Sequence, residues 1–126
     1  MPAINTQYVD QAKGVIEGLP KDKWDKYQLS TSQLRNLLGL TAQIFDEAQQ
    51  TPGDTIPKPL LAKVQYLRVR FVYQAGREPA VKAFVVKAKL LEALAEIGDS
   101  RERLIEFCRY MEALVAYKKF LDPKDK

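Results

Sequence analysis

The stretch from Leu60 to Arg77, LLAKVQYLRVRFVYQAGR, constrains the fold most, because it combines the apolar content of a buried helix with charges of only one sign. At about 100° per residue, five apolar side chains fall on one face and three cations recur every seven residues on another. The apolar face comprises Leu60, Val64, Leu67, Phe71 and Ala75, and the cationic stripe comprises Lys63, Arg70 and Arg77. This pattern predicts an α-helix that lies centrally in a helical bundle, with its cations open to water or to an anion.

The cations of this helix have no acidic neighbours in the sequence. No Asp or Glu occurs between Asp54 and Glu78, so ion pairs three or four residues apart on the helix cannot form. Residues 55–91 contain eight basic side chains against Glu78 alone, whereas the whole chain has a formal net charge of only +4. Such a focused positive potential favours an anionic partner, with a solvated helix face as the alternative.

The rest of the chain predicts an all-α fold, a small single-domain bundle of about five helices spanning residues 1–126. The first helix lies within residues 5–19. Ser30 and Gln33 form a capping box that starts the second helix, and Pro59 presets the first turn of the cationic third helix. A fourth helix is expected from Pro79 to Gly98, and a cap at Asp99 is expected to start the fifth.

The connections are predicted to be flexible loops near 20–29 and 51–58, with a frayed tail at 122–126. We expect Trp24 and Tyr27 of the first loop to pack against the bundle, with stacking of Trp24 on nucleic acid as the alternative.

The residue types argue against catalysis, metals and cofactors. The chain has no histidine and one cysteine, Cys108, which excludes an intrachain disulfide and a multi-cysteine zinc site. We expect Cys108 to be buried and inert, and the acid pairs near Asp22 and Asp46 show no sign of converging. No catalytic residue, metal ligand or cofactor is therefore predicted.

The sequence also argues against a membrane as the partner. It has no apolar run of about 20 residues and no signal peptide, so we expect a cytoplasmic protein.

The basic pattern favours contact with the backbone of a nucleic acid. Arg35 projects from the second helix, one turn before Gly39, whose bare backbone permits close approach of a partner. Tyr66 and Tyr73 border the cationic stripe, where we favour packing over stacking on bases. Lys87 is expected to extend along the edge of the core or into an interface. A helix-turn-helix that reads DNA fits less well, because the cations run along a helix rather than clustering at its start.

Four segments resemble the small subunit of type III-A CRISPR effector complexes, known as Csm complexes. The most specific are residues 63–70, KVQYLRVR, and 73–77, YQAGR; residues 29–35, LSTSQLR, and 107–114, FCRYMEAL, also match. The resemblance implies a small, non-catalytic helical protein that stacks in several copies as an inner filament and helps to hold target RNA paired to the guide RNA. Other subunits of the complex are its implied partners, and isolated members of this family form dimers.

Motif and charge pattern together predict the RNA-binding residues. The set comprises Arg35, Lys63, Arg68, Arg70 and Arg77, with weaker contributions from Lys82, Lys87 and Lys89. Arg68 lies over 100° around the helix from the stripe that begins at Lys63, and its alternative partner is a helical neighbour or another subunit. The implied ligands are crRNA and target RNA. The alternative function is a helical protein–protein interaction module, or a DNA-binding protein, whose basic face contacts another anionic partner.

Overall fold

A computed structural model describes residues 2–125 and, within that range, consists of six α-helices without a β-strand. The helices are α1 (Tyr8–Glu17), α2 (Thr31–Gln50), α3 (Lys58–Arg77), α4 (Pro79–Lys87), α5 (Leu90–Ile97) and α6 (Arg101–Leu121). The predicted all-α class is confirmed, as is the capping box of α2, in which Ser30 and Gln33 bond to each other's backbone amides. Lys126, the last residue of the predicted tail, lies outside the described residues.

The centre of the bundle is α6 rather than α3. α6 packs against α1, α2 and α5, and its buried side chains span an arc of about 160°, about twice that of the buried face of α3. α3 packs against α2, α4 and α5 and buries only the predicted face from Leu60 to Ala75. The central position predicted for α3 is therefore wrong, because its other apolar residues, including Val69 and Val72, remain exposed.

The predicted fourth helix is divided into α4 and α5 by a turn at Ala88 and Lys89. Lys89 has a left-handed backbone conformation, with φ of 58°, which interrupts the helical hydrogen bonds. The hydroxyl of the fully buried Tyr110 donates a hydrogen bond of 3.1 Å to the carbonyl of Ala88, which the break leaves available. The prediction of one helix fails because this long-range hydrogen bond has no local signal in the sequence.

We expect Tyr110→Phe to lower the free energy of unfolding by about 1–3 kcal/mol, because it leaves the buried Ala88 carbonyl without a donor. Urea unfolding followed by circular dichroism measures this change. Tyr73→Phe is the control, since Tyr73 is exposed and should change stability by less than about 0.5 kcal/mol. Equal stability of the Tyr110 variant and wild type would contradict the role assigned to the hydroxyl.

The connection between α2 and α3 is attached to the turn before α6. The backbone amide of Ile56 donates to the carbonyl of Asp99 at 2.8 Å. The backbone amide of Arg101 donates to the carbonyl of Asp54 at 2.9 Å. The side chain of Arg101 also donates to the carbonyls of Ala48 and Gln49 at the end of α2. Residue Ser100, whose side chain accepts from the amide of Arg103, is the cap of α6. The predicted cap at Asp99 is therefore wrong by one residue, since the Asp99 carbonyl is used by the neighbouring loop.

The end of the chain is held by a buried charge. Lys118 is 0% exposed, and its ammonium group donates to Asp122 at 3.1 Å and to Asp125 at 2.9 Å. Asp125 also accepts from the amide of Thr31 at 2.8 Å, so the tail supplies an acceptor to the first turn of α2. Over its described part, the tail is thus bonded to α2 and α6 rather than frayed, because a buried ammonium group requires partners.

We expect Asp125→Asn to lower the free energy of unfolding by about 1–2 kcal/mol at pH 7, since the carboxylate is only partly buried. The hydrogen bond from Lys118 lowers the pKa of Asp125 below its ordinary value of 3.8, with the Thr31 amide as the next cause. Its stabilisation is therefore present above pH 3.8 and is lost as the pH falls through the lowered pKa.

Unfolding curves between pH 7 and pH 3 measure this dependence. Asp46→Asn, an exposed position on α2, is the control. A difference between Asp125→Asn and wild type that persists undiminished at pH 3 would contradict the assignment.

Candidate nucleic-acid interface

The candidate interface is the surface where α2 and α3 run antiparallel. Near one end of the pair, Lys63 forms a salt bridge of 2.5 Å with Glu47. Near the other end, the side-chain amide of Gln33 donates a hydrogen bond to the carboxylate of Glu78. These two contacts fix the register of the helices. Arg35, two residues after Gln33, is therefore level with the end of α3, where Arg77 lies.

Between the two helices lies an open groove of about 460 Å³. α2 contributes Gly39, Leu40, Gln43 and Ile44, and α3 contributes Ala62, Lys63, Tyr66, Leu67 and Arg70. Arg35 does not line the groove, and it lies about 160° around α2 from Gln33, which bonds to α3. Gly39, Gln43 and Glu47 follow one another at intervals of four residues along α2. That spacing is the sequence signal from which Gln43 and Glu47 could have been found.

Lys63 does have an acidic partner, contrary to what the sequence around it suggests. Glu47 lies 16 residues earlier in the chain, on the neighbouring helix, so helical spacing within α3 could not reveal it. Because the carboxylate neutralises part of its charge, Lys63 attracts an external anion more weakly than an unpaired lysine of the predicted stripe would.

The remaining predicted arginines have no acidic partner within the described part of the chain. Within residues 2–125, no carboxylate lies within 4.0 Å of Arg35, Arg68, Arg70 or Arg77. Arg70 is half-buried at the groove, and the guanidinium of Arg77 lies 5.8 Å from the centre of the Tyr73 ring. Unpaired guanidinium groups held on helices are suited to binding phosphate through two parallel hydrogen bonds.

Arg68 is not brought to the groove. It lies two residues before Arg70, about 160° away around the helix, and is exposed next to Val69. The structure therefore separates Arg68 from Lys63 and Arg70.

The three lysines predicted as weaker contacts do not line the groove either. Lys82 is exposed on α4, and Lys89 lies in the turn between α4 and α5. The end of the Lys87 side chain lies against the backbone of Gly18, where even a methyl group would collide with it. Lys87 therefore crosses the end of α1, which agrees with its predicted position along the edge of the core.

Three exposed aromatic residues differ from expectation. Tyr66 is 60% and Tyr73 57% exposed, so the favoured interpretation that they pack within this chain is wrong. Trp24, which we expected to pack against the bundle, is 69% exposed, and the ammonium of Lys23 lies 4.5 Å from the centre of its ring. Tyr27 is half-buried as expected, with the centre of its ring 5.5 Å from the ammonium of Lys118. Hydrogen bonds from the backbone amides of Trp24 and Lys26 to the carboxylate of Asp22 stabilise the turn of that loop.

Cys108 is buried as predicted, and burial, with the negative charge of Glu112 as a second cause, raises its pKa to about 12. Among residues 2–125, no group of three or more acidic or cysteine side chains is placed to hold a metal ion. Nor does that range contain a helix long and apolar enough to cross a membrane.

The fold and this surface define a small helical domain with a cationic face on an antiparallel helix pair. The model of the family described as Csm2 Type III-A matches residues 16–124. The chain therefore belongs to the Csm2 type III-A family, the small subunits of the Csm complexes of type III-A CRISPR systems. The resemblance that the sequence motifs indicated is confirmed.

Individual relatives agree with this assignment. The CRISPR system Cms protein Csm2 of Mycobacterium tuberculosis strain H37Rv is 67% identical over 126 residues, covering 100% of both chains. The Csm2 protein of Streptococcus thermophilus is 53% identical over 118 residues, 94% of this chain and 93% of that protein. That of Enterococcus italicus is 37% identical over 95 residues, 73% of this chain and 67% of its own length.

Proposed function

We propose that this chain is a non-catalytic structural subunit of a type III-A CRISPR effector complex, which stacks as an inner filament and binds crRNA and target RNA through the α2–α3 face. Family membership supports the place in the complex. The observation that carries RNA binding is that Arg35, Arg70 and Arg77 lie on one helix pair without a carboxylate within 4.0 Å among residues 2–125.

The proposed contacts are to the RNA backbone rather than to base edges. An arginine on a rigid helix meets a phosphate whatever the base attached to it, so such contacts position the RNA without reading its sequence. Arg70 and Arg77 are seven residues apart, or about 10 Å along α3, so one strand following the helix reaches both. Lys63 contributes less because Glu47 already binds it.

Self-association and contact with other subunits are proposed to use surfaces other than the RNA-binding face. Val69 and Val72, both at least half exposed, form an apolar strip on the side of α3 that also bears Arg68. Exposed apolar surface of this kind is typical of protein–protein contacts, so Arg68 is assigned here to a neighbouring subunit. The alternative function, a protein-only interaction module, would extend such contacts to the arginines of the groove.

The absence of catalysis is also part of the proposal, together with a cytoplasmic location. We expect the purified protein not to cleave RNA in the presence of Mg²⁺ or Mn²⁺, since its thiol is buried and its acids are dispersed. Incubation with labelled RNA and gel analysis tests this. Metal-dependent cleavage that persists through purification and is abolished by one Asp or Glu substitution would contradict it.

The RNA-binding proposal predicts a specific change in salt dependence. In assembled complexes, Arg70→Ala should weaken binding of matched and scrambled guide–target duplexes alike, because it removes a phosphate contact. It should also flatten the slope of log affinity against log salt by about 0.7 for each copy of the subunit. Target binding across a salt series, with subunit content verified, measures both effects.

Arg109→Ala is the matched control for net charge. Arg109 is exposed on α6, near Tyr8 and Val9 of α1 rather than the groove. Its removal should leave the slope unchanged. If Arg70→Ala lowers incorporation of the subunit but leaves the slope per assembled complex unaltered, the protein-only module is correct instead.

A further inference from the structure

The groove between α2 and α3 has a composition that phosphate binding does not explain. Its surface includes Leu40, Ile44, Ala62 and Leu67, which offer a phosphate no hydrogen-bond donor. A phosphate on Arg70 would thus occupy the rim and leave the apolar surface uncovered. The volume of about 460 Å³ is within the range of small-molecule sites, about 300–1,000 Å³.

Tyr66 supplies an aromatic surface at this groove. Its side chain is 60% exposed, and no aromatic or cationic side chain is stacked on it among the described residues. Tyr73, one heptad later on the same helix, is equally exposed but already lies against Arg77 and does not line the groove. Tyr66 is therefore placed to stack on a flat ligand that enters the groove.

We propose that this groove binds one unpaired RNA base, stacked on Tyr66, with the adjoining phosphate on Arg70. The inference rests on the proposed RNA-binding function and specifies which part of the RNA the groove accepts. A base combines an apolar face with a polar edge, and the groove combines apolar side chains with the amide of Gln43, which can both donate and accept.

The charges at the two ends orient the nucleotide. At one end Glu47 is bonded to Lys63, so its carboxylate disfavours a phosphate there. Toward the other end, Arg70 has no carboxylate within 4.0 Å among residues 2–125, so its guanidinium group attracts a phosphate. The backbone of the nucleotide therefore lies toward Arg70, with its base directed along the groove toward Gln43.

Gly39 leaves the α2 side of the groove open. A Cβ atom built at Gly39 meets nothing within 4 Å, so the space next to its backbone is empty and accessible. A larger side chain at position 39 would fill this space without disturbing the packing of the helices.

An unpaired base fits better than a paired one. In a duplex both faces of a base are stacked on neighbours and its edge is hydrogen-bonded, so neither is available to Tyr66 or Gln43. Stacking on an aromatic side chain tolerates every base, which is compatible with a complex that must accept any sequence.

The test uses assembled complexes and three target RNAs that differ at one position, which is scanned along the duplex. One target is fully paired, one carries a single mismatched base, and one carries an abasic residue at that position. At positions facing the groove, wild-type complexes should bind the mismatched target about 10-fold more tightly than the abasic one, the loss typical of one stacked base. Tyr66→Leu and Gly39→Leu should abolish this difference, whereas Tyr73→Leu should preserve it.

The outcomes separate this inference from the function on which it rests. Equal binding of mismatched and abasic targets at every position overturns the base site, and so does a difference that survives Tyr66→Leu. In either case, a flatter slope of log affinity against log salt in Arg70→Ala still supports RNA binding. Reduced subunit incorporation in Tyr66→Leu, with an unchanged preference for the mismatched target, also overturns it, because the groove then accepts a side chain of a neighbouring protein. A slope of log affinity against log salt that Arg70→Ala leaves unchanged in assembled complexes refutes the RNA-binding function itself.

Discussion

The antiparallel packing of α2 against α3 is the constraint on which the candidate site depends. The contacts Glu47–Lys63 and Gln33–Glu78 fix its register near both ends, and the apolar face of α3 from Leu60 to Ala75 is buried beneath it. This register creates the groove and brings Arg35 level with the end of α3, where Arg77 lies. A shift of one helical turn, about 5.4 Å, would separate Gln43 from Tyr66, which line the groove from opposite sides.

The rest of the bundle holds this helix pair in place. The rings of Phe71 and Phe107 lie 6.1 Å apart and join α3 to the central helix α6. The start of α2 is bonded through Thr31 to Asp125, and its end is bonded to Arg101. Charged side chains at both ends thus attach α2 to α6 or to the tail that follows it, so the polar interactions that stabilise the fold also position the surface proposed to meet RNA.

The sequence predicted the features that arise from local periodicity. The buried face of α3, the capping box at Ser30 and the burial of Cys108 follow from spacing or from the chemistry of single residues, and each is confirmed. The features it missed depend on residues far apart in the chain. Lys63 pairs with Glu47, Tyr110 bonds to the turn that divides α4 from α5, and Lys118 is buried with partners from the tail.

In the candidate site, too, the features set by local spacing could be predicted, and those set by the packing of distant residues could not. The positions of Arg70 and Arg77 on one stripe could be predicted, because both lie on α3 at heptad spacing. The exposure of Tyr66 and Tyr73 could not, since it depends on α6 rather than α3 occupying the centre of the bundle. The separation of Arg68 from this stripe also follows from helical spacing alone, because Arg68 lies over 100° away around the axis of α3.

An experimental structure of the assembled complex with guide and target RNA tests the central claim most directly, through the distances from Arg35, Arg70 and Arg77 to the nearest phosphate oxygens. We predict that the α2–α3 face lies along the RNA, with guanidinium nitrogens about 2.7–2.9 Å from phosphate oxygens. A structure in which these three arginines contact only protein or solvent, while another face such as that of α1 and α6 meets the RNA, would contradict it.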